Sequence, residues 1–248
     1  MKPKLRAAFV LAAGEGTRLR PLTDSQPKPL VSVQGRPLLS FVLDNLASLQ
    51  LDRVVLNAWY CADQIEDYVA KVKAQYPFDL LVSKESELLG TGGGLKKALP
   101  LFEGLGEAGP LLMLNGDCLW RGKLGRFVET ALQARDVDGQ WWLTDVQPEQ
   151  TKITTEGDFI RRIGDLWRDE RTSLSLRSQV EGCFTGIQIL KTIHADRLPD
   201  KGCIIRQYWV PELLRGARLR AHQGDLSFWT DVGTVDRWRD AQSIDLLA

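Results

Sequence analysis

The place where the first apolar run stops constrains this chain more than any other feature. Ala7 to Ala13 is uninterrupted hydrophobic sequence, and Gly14-Glu15-Gly16 breaks it at once. A short apolar run without polar alternation is the pattern of a strand buried on both faces, in a sheet covered by helices on each side. Glycines directly after such a strand let backbone N–H groups come close to an anion. Two common phosphate loops are excluded. Leu19 stands where a dinucleotide fingerprint needs its third glycine, and the G-x-x-x-x-G-K-[ST] of a P-loop is absent. The G-x-G-T-R present instead adds the hydroxyl of Thr17 and the guanidinium of Arg18. A guanidinium suits bidentate contact with a polyphosphate.

The segments that follow alternate in period. Leu38, Phe41, Val42, Leu46 and Leu49 recur at helical spacing after Pro37, a residue suited to a helix start. Arg53 to Asn57 is short and β-branched, Ile65, Val69 and Val72 mark a second amphipathic helix, and Leu80 to Val82 a further strand. Leu95, Ala98, Leu99 and Phe102 form a helical face, and Leu111 to Leu114 is a strand ending at Asn115-Gly116-Asp117. This β-α-β repetition predicts an α/β fold: Rossmann-like and doubly wound, with a mainly parallel mixed sheet in three α/β/α layers. Right-handed crossovers place the carboxyl ends of the strands along one edge, where ligands collect. Residues 14–18, 83–94 and 115–117 each follow such a strand.

The second half is less regular. Trp141–Val146, Phe159–Ile163, Phe184–Leu190 and Leu226–Val232 read as strands, and the polar stretch from Asp165 to Glu181 as a loop or hairpin. Thr234 is placed to cap a last helix through Val235, Trp238, Ala241 and Ile244. With no repeat, low-complexity tract or linker, residues 1–248 are expected to form one domain.

Lys plus Arg total 32 and Asp plus Glu total 32, so the net charge is zero and the basic bias of a nucleic-acid binder is missing. No stretch approaches the roughly 18 apolar residues of a membrane-spanning helix. The basic start, Met1 to Arg6, precedes an apolar run too short for an export leader. Cys61, Cys118, Cys183 and Cys203 stand alone, and the two histidines, His194 and His222, offer no zinc spacing. A cytoplasmic protein with free thiols is expected.

Two further elements bear on chemistry. In Pro27-Lys28-Pro29 two prolines stiffen the backbone around one lysine, fixing a positive charge near a phosphoryl group. In Gly90-Thr91-Gly92-Gly93-Gly94, four glycines in five positions cost entropy unless something approaches closely. Leu11 to Leu22 followed by Pro27 to Val31 resembles the signature of the sugar-phosphate nucleotidyltransferases, the nucleoside-diphosphate-sugar pyrophosphorylases. Within that group the chain is similar to bacterial N-acetylmuramate 1-phosphate uridylyltransferases and to mannose- and heptose-1-phosphate guanylyltransferases. The likeness extends to residues 90–94, 115–117 and 229–234.

The resemblance implies transfer of a nucleotidyl group from UTP or GTP to a sugar 1-phosphate, with release of pyrophosphate and Mg²⁺ as cofactor. It implies a nucleotide-binding half at 1–120 and a sugar-phosphate-binding half at 121–248. The implied nucleotide site is Leu11, Ala13, Gly14, Gly16, Thr17, Arg18, Glu85, Gly90, Thr91 and Gly92. Lys28, Asn115, Thr185 and Gly186 are implied for the sugar phosphate, Arg18, Lys28 and Asp117 for catalysis, and Asp117 and Asp231 for the metal. A hard divalent cation takes oxygen ligands and keeps waters, so two carboxylates suffice. If the strands ahead of these aspartates share one sheet, their carboxyl ends bring both to one ion.

Glu85 can accept from guanine or from uracil, so the base stays open. The E-K-P element of many relatives is missing from Gly164-Asp165-Leu166-Trp167-Arg168-Asp169-Glu170-Arg171, where Arg168 and Arg171 are candidates to replace it. Trp141, Trp142 and Trp238 are expected in the core, with Trp59, Trp120 or Trp229 bordering a ligand. The alternatives are a choline-phosphate cytidylyltransferase, which shares the front motifs, and a catalytically silent nucleotide-binding regulatory protein. The expected partners are the two small substrates, with neither nucleic acid nor membrane, on a monomer or homodimer.

Overall fold

The computed structural model describes residues 4–105, 109–169 and 179–245. β1 (Ala7–Leu11) leads into the glycine loop. A small hairpin, β2 (Ser32–Val33) and β3 (Arg36–Pro37), then delivers the chain to α1 (Leu38–Ala47). β4 (Arg53–Ala58), α2 (Ala62–Val72), β5 (Asp79–Lys84), α3 (Gly90–Ala98) and β6 (Leu111–Asn115) complete the first half. The second half opens with β7 (Cys118–Gly122), α4 (Leu124–Gln133), β8 (Gly139–Thr144), β9 (Lys152–Glu156) and β10 (Phe159–Ile163). It continues through β11 (Trp167–Arg168), β12 (Gln179–Leu190), α5 (Val210–Leu214), β13 (Leu219–His222), β14 (Leu226–Asp231) and α6 (Val235–Ala241).

One ten-stranded mixed sheet runs in the order β11-β10-β13-β8-β12-β6-β1-β4-β5, with β9 pairing β10 and β12. β6, β1, β4 and β5 are parallel, as are β8 and β13, whereas β12 is antiparallel to both β6 and β8 and stitches the halves together. The period of two sorts the buried side chains into layers. Ala8, Val10, Val54, Leu56, Leu112 and Leu114 pack in one core with the apolar faces of α1, α2 and α4. Ala7, Phe9, Val55, Leu111 and Met113 pack in the other with α3 and α5. Both faces are covered, which is why the first-half strands read as unbroken apolar runs.

The departures from the sequence expectation have local causes. The run Ala7 to Ala13 stops pairing at Leu11 because the Ala12 N–H donates to Asn57 Oδ1, at 2.7 Å, instead of to a neighbouring strand. α3 starts at Gly90, so the glycines lie inside the helix, and α6 ends at Ala241, short of Ile244. In the stretch 165–181, Trp167–Arg168 and Gln179 onward are strand, and 170–178 lie outside the described residues. The strand bearing Asp231 does not belong to the main sheet. β14 pairs antiparallel with β7 in a separate two-stranded ribbon, so the premise of one shared sheet edge for both aspartates is corrected.

Candidate active site

Two adjoining cavities open at the carboxyl ends of β1 and β6. The smaller, about 220 Å³, is walled by Ala12, Ala13, Gly14, Lys28 and Gly90 among others. The larger, about 460 Å³, is walled by Arg18, Gln150, Phe184, Thr185, Gly186, Trp229 and Asp231 among others. Leu11, Thr91, Asn115 and Asp117 border both.

Lys28 sits in a 3₁₀ turn that starts right after extended Pro27, and its ammonium donates to Asp117 Oδ2. Its stem is buried beneath the glycine loop: a Cβ on Gly16, where φ is +68°, would come within 3.0 Å of Lys28 Cβ and Thr23 Cγ2. The two prolines and Gly16 therefore fix the lysine by packing. Arg18 lies exposed in the turn Thr17–Leu19 at the mouth of the larger cavity.

The β7–β14 ribbon sets the aspartates side by side. Asp231 pairs with Cys118 in register, and the Val232 N–H donates to the Asp117 carbonyl at 2.9 Å. Burial first, then the Asp117 and Asp231 carboxylates, pushes the Cys118 thiol well above its usual range, so it stays protonated. Asp231 Oδ2 accepts from Arg237 Nη1 at 2.6 Å and from Gln150 Nε2 at 2.9 Å. That bond to Asp231 is also the first cause raising the pKa of Arg237. Asp231 Oδ1 is buried and accepts no hydrogen bond among the described residues. A Cβ on Gly233 would overlap that oxygen, which explains the glycine. No cluster of three or more His, Cys, Asp or Glu side chains suited to a metal occurs among the described residues. Two carboxylates with one oxygen unengaged fit a hard cation that completes its shell with water and phosphate.

On the far wall, Thr185 donates through Oγ1 to the Trp142 carbonyl at 2.8 Å, and its own carbonyl accepts from Trp229 Nε1 at 2.9 Å. Gly186 has φ +81°, and a Cβ there would stand 2.5 Å from Asn115 Nδ2, so a side chain is barred twice over. Phe184 stacks on Trp141 with centroids 4.3 Å apart.

The profile of the nucleotidyl transferase family matches residues 7–151. The chain belongs to that family. It is 32% identical over 246 residues to the N-acetylmuramate alpha-1-phosphate uridylyltransferase of Neisseria meningitidis, covering 96% of this chain and 97% of that one. It is 30% identical over 230 residues to a mannose-1-phosphate guanyltransferase of Neurospora crassa, covering 91% of this chain but 60% of the longer relative. The crystal structure of HddC from Yersinia pseudotuberculosis complexed with GMP-PN has the same fold, with a TM-score of 0.72 over 96% of this chain and 98% of that one, at 23% identity.

The residues expected from the sequence of this nucleotidyltransferase divide into three groups. Leu11, Ala13, Gly14, Lys28, Gly90, Thr91, Asn115 and Asp117 border the smaller cavity, and Arg18, Thr185, Gly186 and Asp231 the larger. Gly16, Thr17, Glu85 and Gly92 border neither. Glu85 is buried and engaged inside the protein, accepting from Asn57 Nδ2 at 2.7 Å and from the Leu89 N–H at 3.0 Å. Gly92 and Gly93 admit the segment 199–202: Gly92 lies against Pro199, Gly93 against the Asp200 backbone, and the Gly92 N–H donates to the Gly202 carbonyl at 2.8 Å. The close approach those glycines serve is that of another piece of the chain. Arg168 lies on edge strand β11 and borders neither cavity, and Arg171 is outside the described residues.

Among the residues at the site that the sequence did not point to are Asn57, Gln150, Arg206 and Arg237. Arg206 lines the larger cavity. Arg237 had a faint signal, three residues into a helix capped by Thr234 just after the Asp231 motif. Gln150 had none. Trp141, expected in the core, is fully buried and also forms part of the cavity floor, while Trp229 borders the cavity as one of the expected candidates.

Proposed function

We propose that this nucleotidyltransferase joins a nucleoside triphosphate, UTP or GTP, to a sugar 1-phosphate and releases pyrophosphate. The observation that carries the reading is the pair of adjoining cavities meeting at Asp117, one walled by the glycine loop and Lys28, the other by strand residues and aromatic rings. The relatives in Neisseria and Neurospora, named for a uridylyl and a guanylyl transfer, support both bases.

The chemistry asks for positioning and charge neutralisation more than for proton transfer. The second pKa of a phosphate monoester is about 6, so the attacking oxygen is already ionised at neutral pH. In-line attack on the α-phosphorus breaks its bond to the β-phosphate oxygen, and pyrophosphate leaves opposite the new bond. Arg18 and Lys28 stabilise the charge that gathers on the triphosphate and on the incoming phosphate. Asp117 and Asp231 would hold a divalent cation, proposed as Mg²⁺, which when bound offsets phosphate charge as a Lewis acid. Asn115, Thr185 and Gly186 shape the sugar side. No helix among the described residues is long and apolar enough to cross a membrane. The proposed compartment is the reducing cytoplasm, where four free thiols are at home.

The test is a matrix of four triphosphates against several sugar 1-phosphates, N-acetylmuramate and mannose 1-phosphates included, read by pyrophosphate release. Release with UTP or GTP and one sugar is expected. Silence across the whole matrix would refute the assignment.

A further inference from the structure

The grip on Asp231 is one-sided. Both donors, Arg237 Nη1 and Gln150 Nε2, reach Oδ2, at 2.6 and 2.9 Å, and Oδ1 is left buried without a donor. The donors come from different elements. Gln150 belongs to the segment joining β8 to β9, and Arg237 to the first turn of α6, where its own N–H is held by Thr234 Oγ1 at 3.3 Å. The second arm of the guanidinium reaches Glu149 Oε2 at 3.2 Å, so it bridges the metal-side carboxylate to the segment that walls the larger cavity. Gly233 brings no side chain of its own beside Oδ1, and Arg18 Nη2 is the other group that approaches this point, 3.4 Å from where a Cβ would stand. A buried acceptor left unpaired is costly unless something else uses it.

We infer that Gln150 and Arg237 are positioning residues that lock the Asp231 carboxylate so that Oδ1 alone is offered to the divalent cation. The inference rests on the assignment of Asp231 to the metal site. An unrestrained carboxylate can turn about its last torsion and present either oxygen. Two donors on one oxygen withdraw that oxygen and set the plane of the other. Donors behind a metal ligand typically change metal affinity by about 10- to 100-fold when removed. A plain tether between α6 and β14 would instead change melting temperature and leave metal affinity alone.

The experiment uses the full chain, Mn²⁺ as the probe, and α,β-methylene analogues of UTP and GTP, with free Mn²⁺ read by electron paramagnetic resonance. Gln150→Ala is expected to weaken Mn²⁺ binding about tenfold, and Arg237→Ala by up to about a hundredfold. Arg237→Lys should fall between, because an ammonium can donate to Asp231 without bridging to Glu149 in the same fork geometry. In turnover, the metal concentration that gives half-maximal rate should rise in the same order as the loss of Mn²⁺ affinity. In an Asp231→Asn background, Gln150→Ala should add nothing further to the loss of Mn²⁺ affinity. Asp231→Asn with wild-type Mn²⁺ affinity would overturn the metal assignment underneath. If Asp231→Asn weakens binding while Gln150→Ala and Arg237→Lys both match wild type, the locking role is overturned and the assignment stands.

Discussion

The two walls of the cleft are built by different means. The first-half wall is made of loops that follow parallel strands, so its residues come in contiguous runs: 11–18, 27–31 and 115–117. The second-half wall is made of side chains from strand interiors and from scattered elements, such as Thr185 and Gly186 within β12, Trp229 and Asp231 on the ribbon, and Gln150 between β8 and β9. On the proposed assignment, the triphosphate to the first wall and the sugar phosphate to the second, the difference follows from what each wall would bind. A triphosphate is gripped by successive backbone N–H groups and nearby cations, which a single loop supplies. A sugar needs hydroxyl-specific contacts from several directions, which no single loop supplies.

The proposed metal site breaks this division most directly, because each half would give it one carboxylate. Asp117→Asn and Asp231→Asn should each lower turnover by about a thousandfold or more, since the loss of a bound cation removes several kcal/mol of transition-state stabilisation. The double variant should be little worse than either single, as both lose the same ion. Additive losses, measured as kcat/KM under saturating metal, would mean that the halves act on separate ions.

Arg18 comes from the first wall's glycine loop but borders the larger cavity. Arg18→Ala should lower kcat about a hundredfold, a typical cost for removing one preorganised cation, with an unchanged circular dichroism spectrum. A near-normal kcat would remove Arg18 from the chemistry and leave it a surface arginine.

Lys28 sharpens the boundary. It borders the smaller cavity, yet its ammonium reaches Asp117 on the shared wall. Lys28→Ala should raise KM for the sugar phosphate more than for the triphosphate, by about tenfold, and lower kcat as well, because a buried charge-assisted hydrogen bond is lost with it. A change in triphosphate KM alone would place Lys28 wholly in the first wall.

How much could be read in advance follows the same line. The strands β1, β4, β5 and β6 were legible because each is short, apolar and covered on both faces, and the motifs after them keep their order in the chain. Glu85 reads in the sequence as a strand-end carboxylate facing a ligand, and nothing local shows that Asn57, 28 residues earlier, donates to one of its oxygens. The glycines at 92 and 93 announced a close approach correctly, but a sequence does not say that segment 199–202 is what approaches. Arg237 and Gln150 converge on Asp231 from 6 and 81 residues away, a meeting set only by the β7–β14 ribbon and the β8–β9 connection.

The smallest expected effect asks whether the two walls belong to one cooperative domain, as we propose. His222, at the end of β13, is buried edge-on against Phe127 and Trp142, with Nδ1 3.2 Å from Thr130 Oγ1. Its Nε2 lies 3.3 Å from Asp225 Oδ2 but makes no hydrogen bond. Burial lowers the pKa of His222, and the Asp225 carboxylate offsets this only in part. The folded state therefore resists a proton that the unfolded chain accepts at the ordinary histidine value of about 6.5. Stability should be unaffected by His222 above that value and should fall as pH drops through it towards the lower folded value. Carboxylates titrate mostly below this window, and His222→Gln should flatten the slope within it. Six of the eight tryptophans follow residue 120, so tryptophan fluorescence reports the second half, and amide exchange in β4 reports the first. In one domain both probes shift together as the pH falls from 7.5 to 5.5. A fluorescence midpoint that moves while β4 stays protected would separate the halves. The continuous sheet, with β12 bonded to β6 on one side and β8 on the other, would then be a hinge and not a seam.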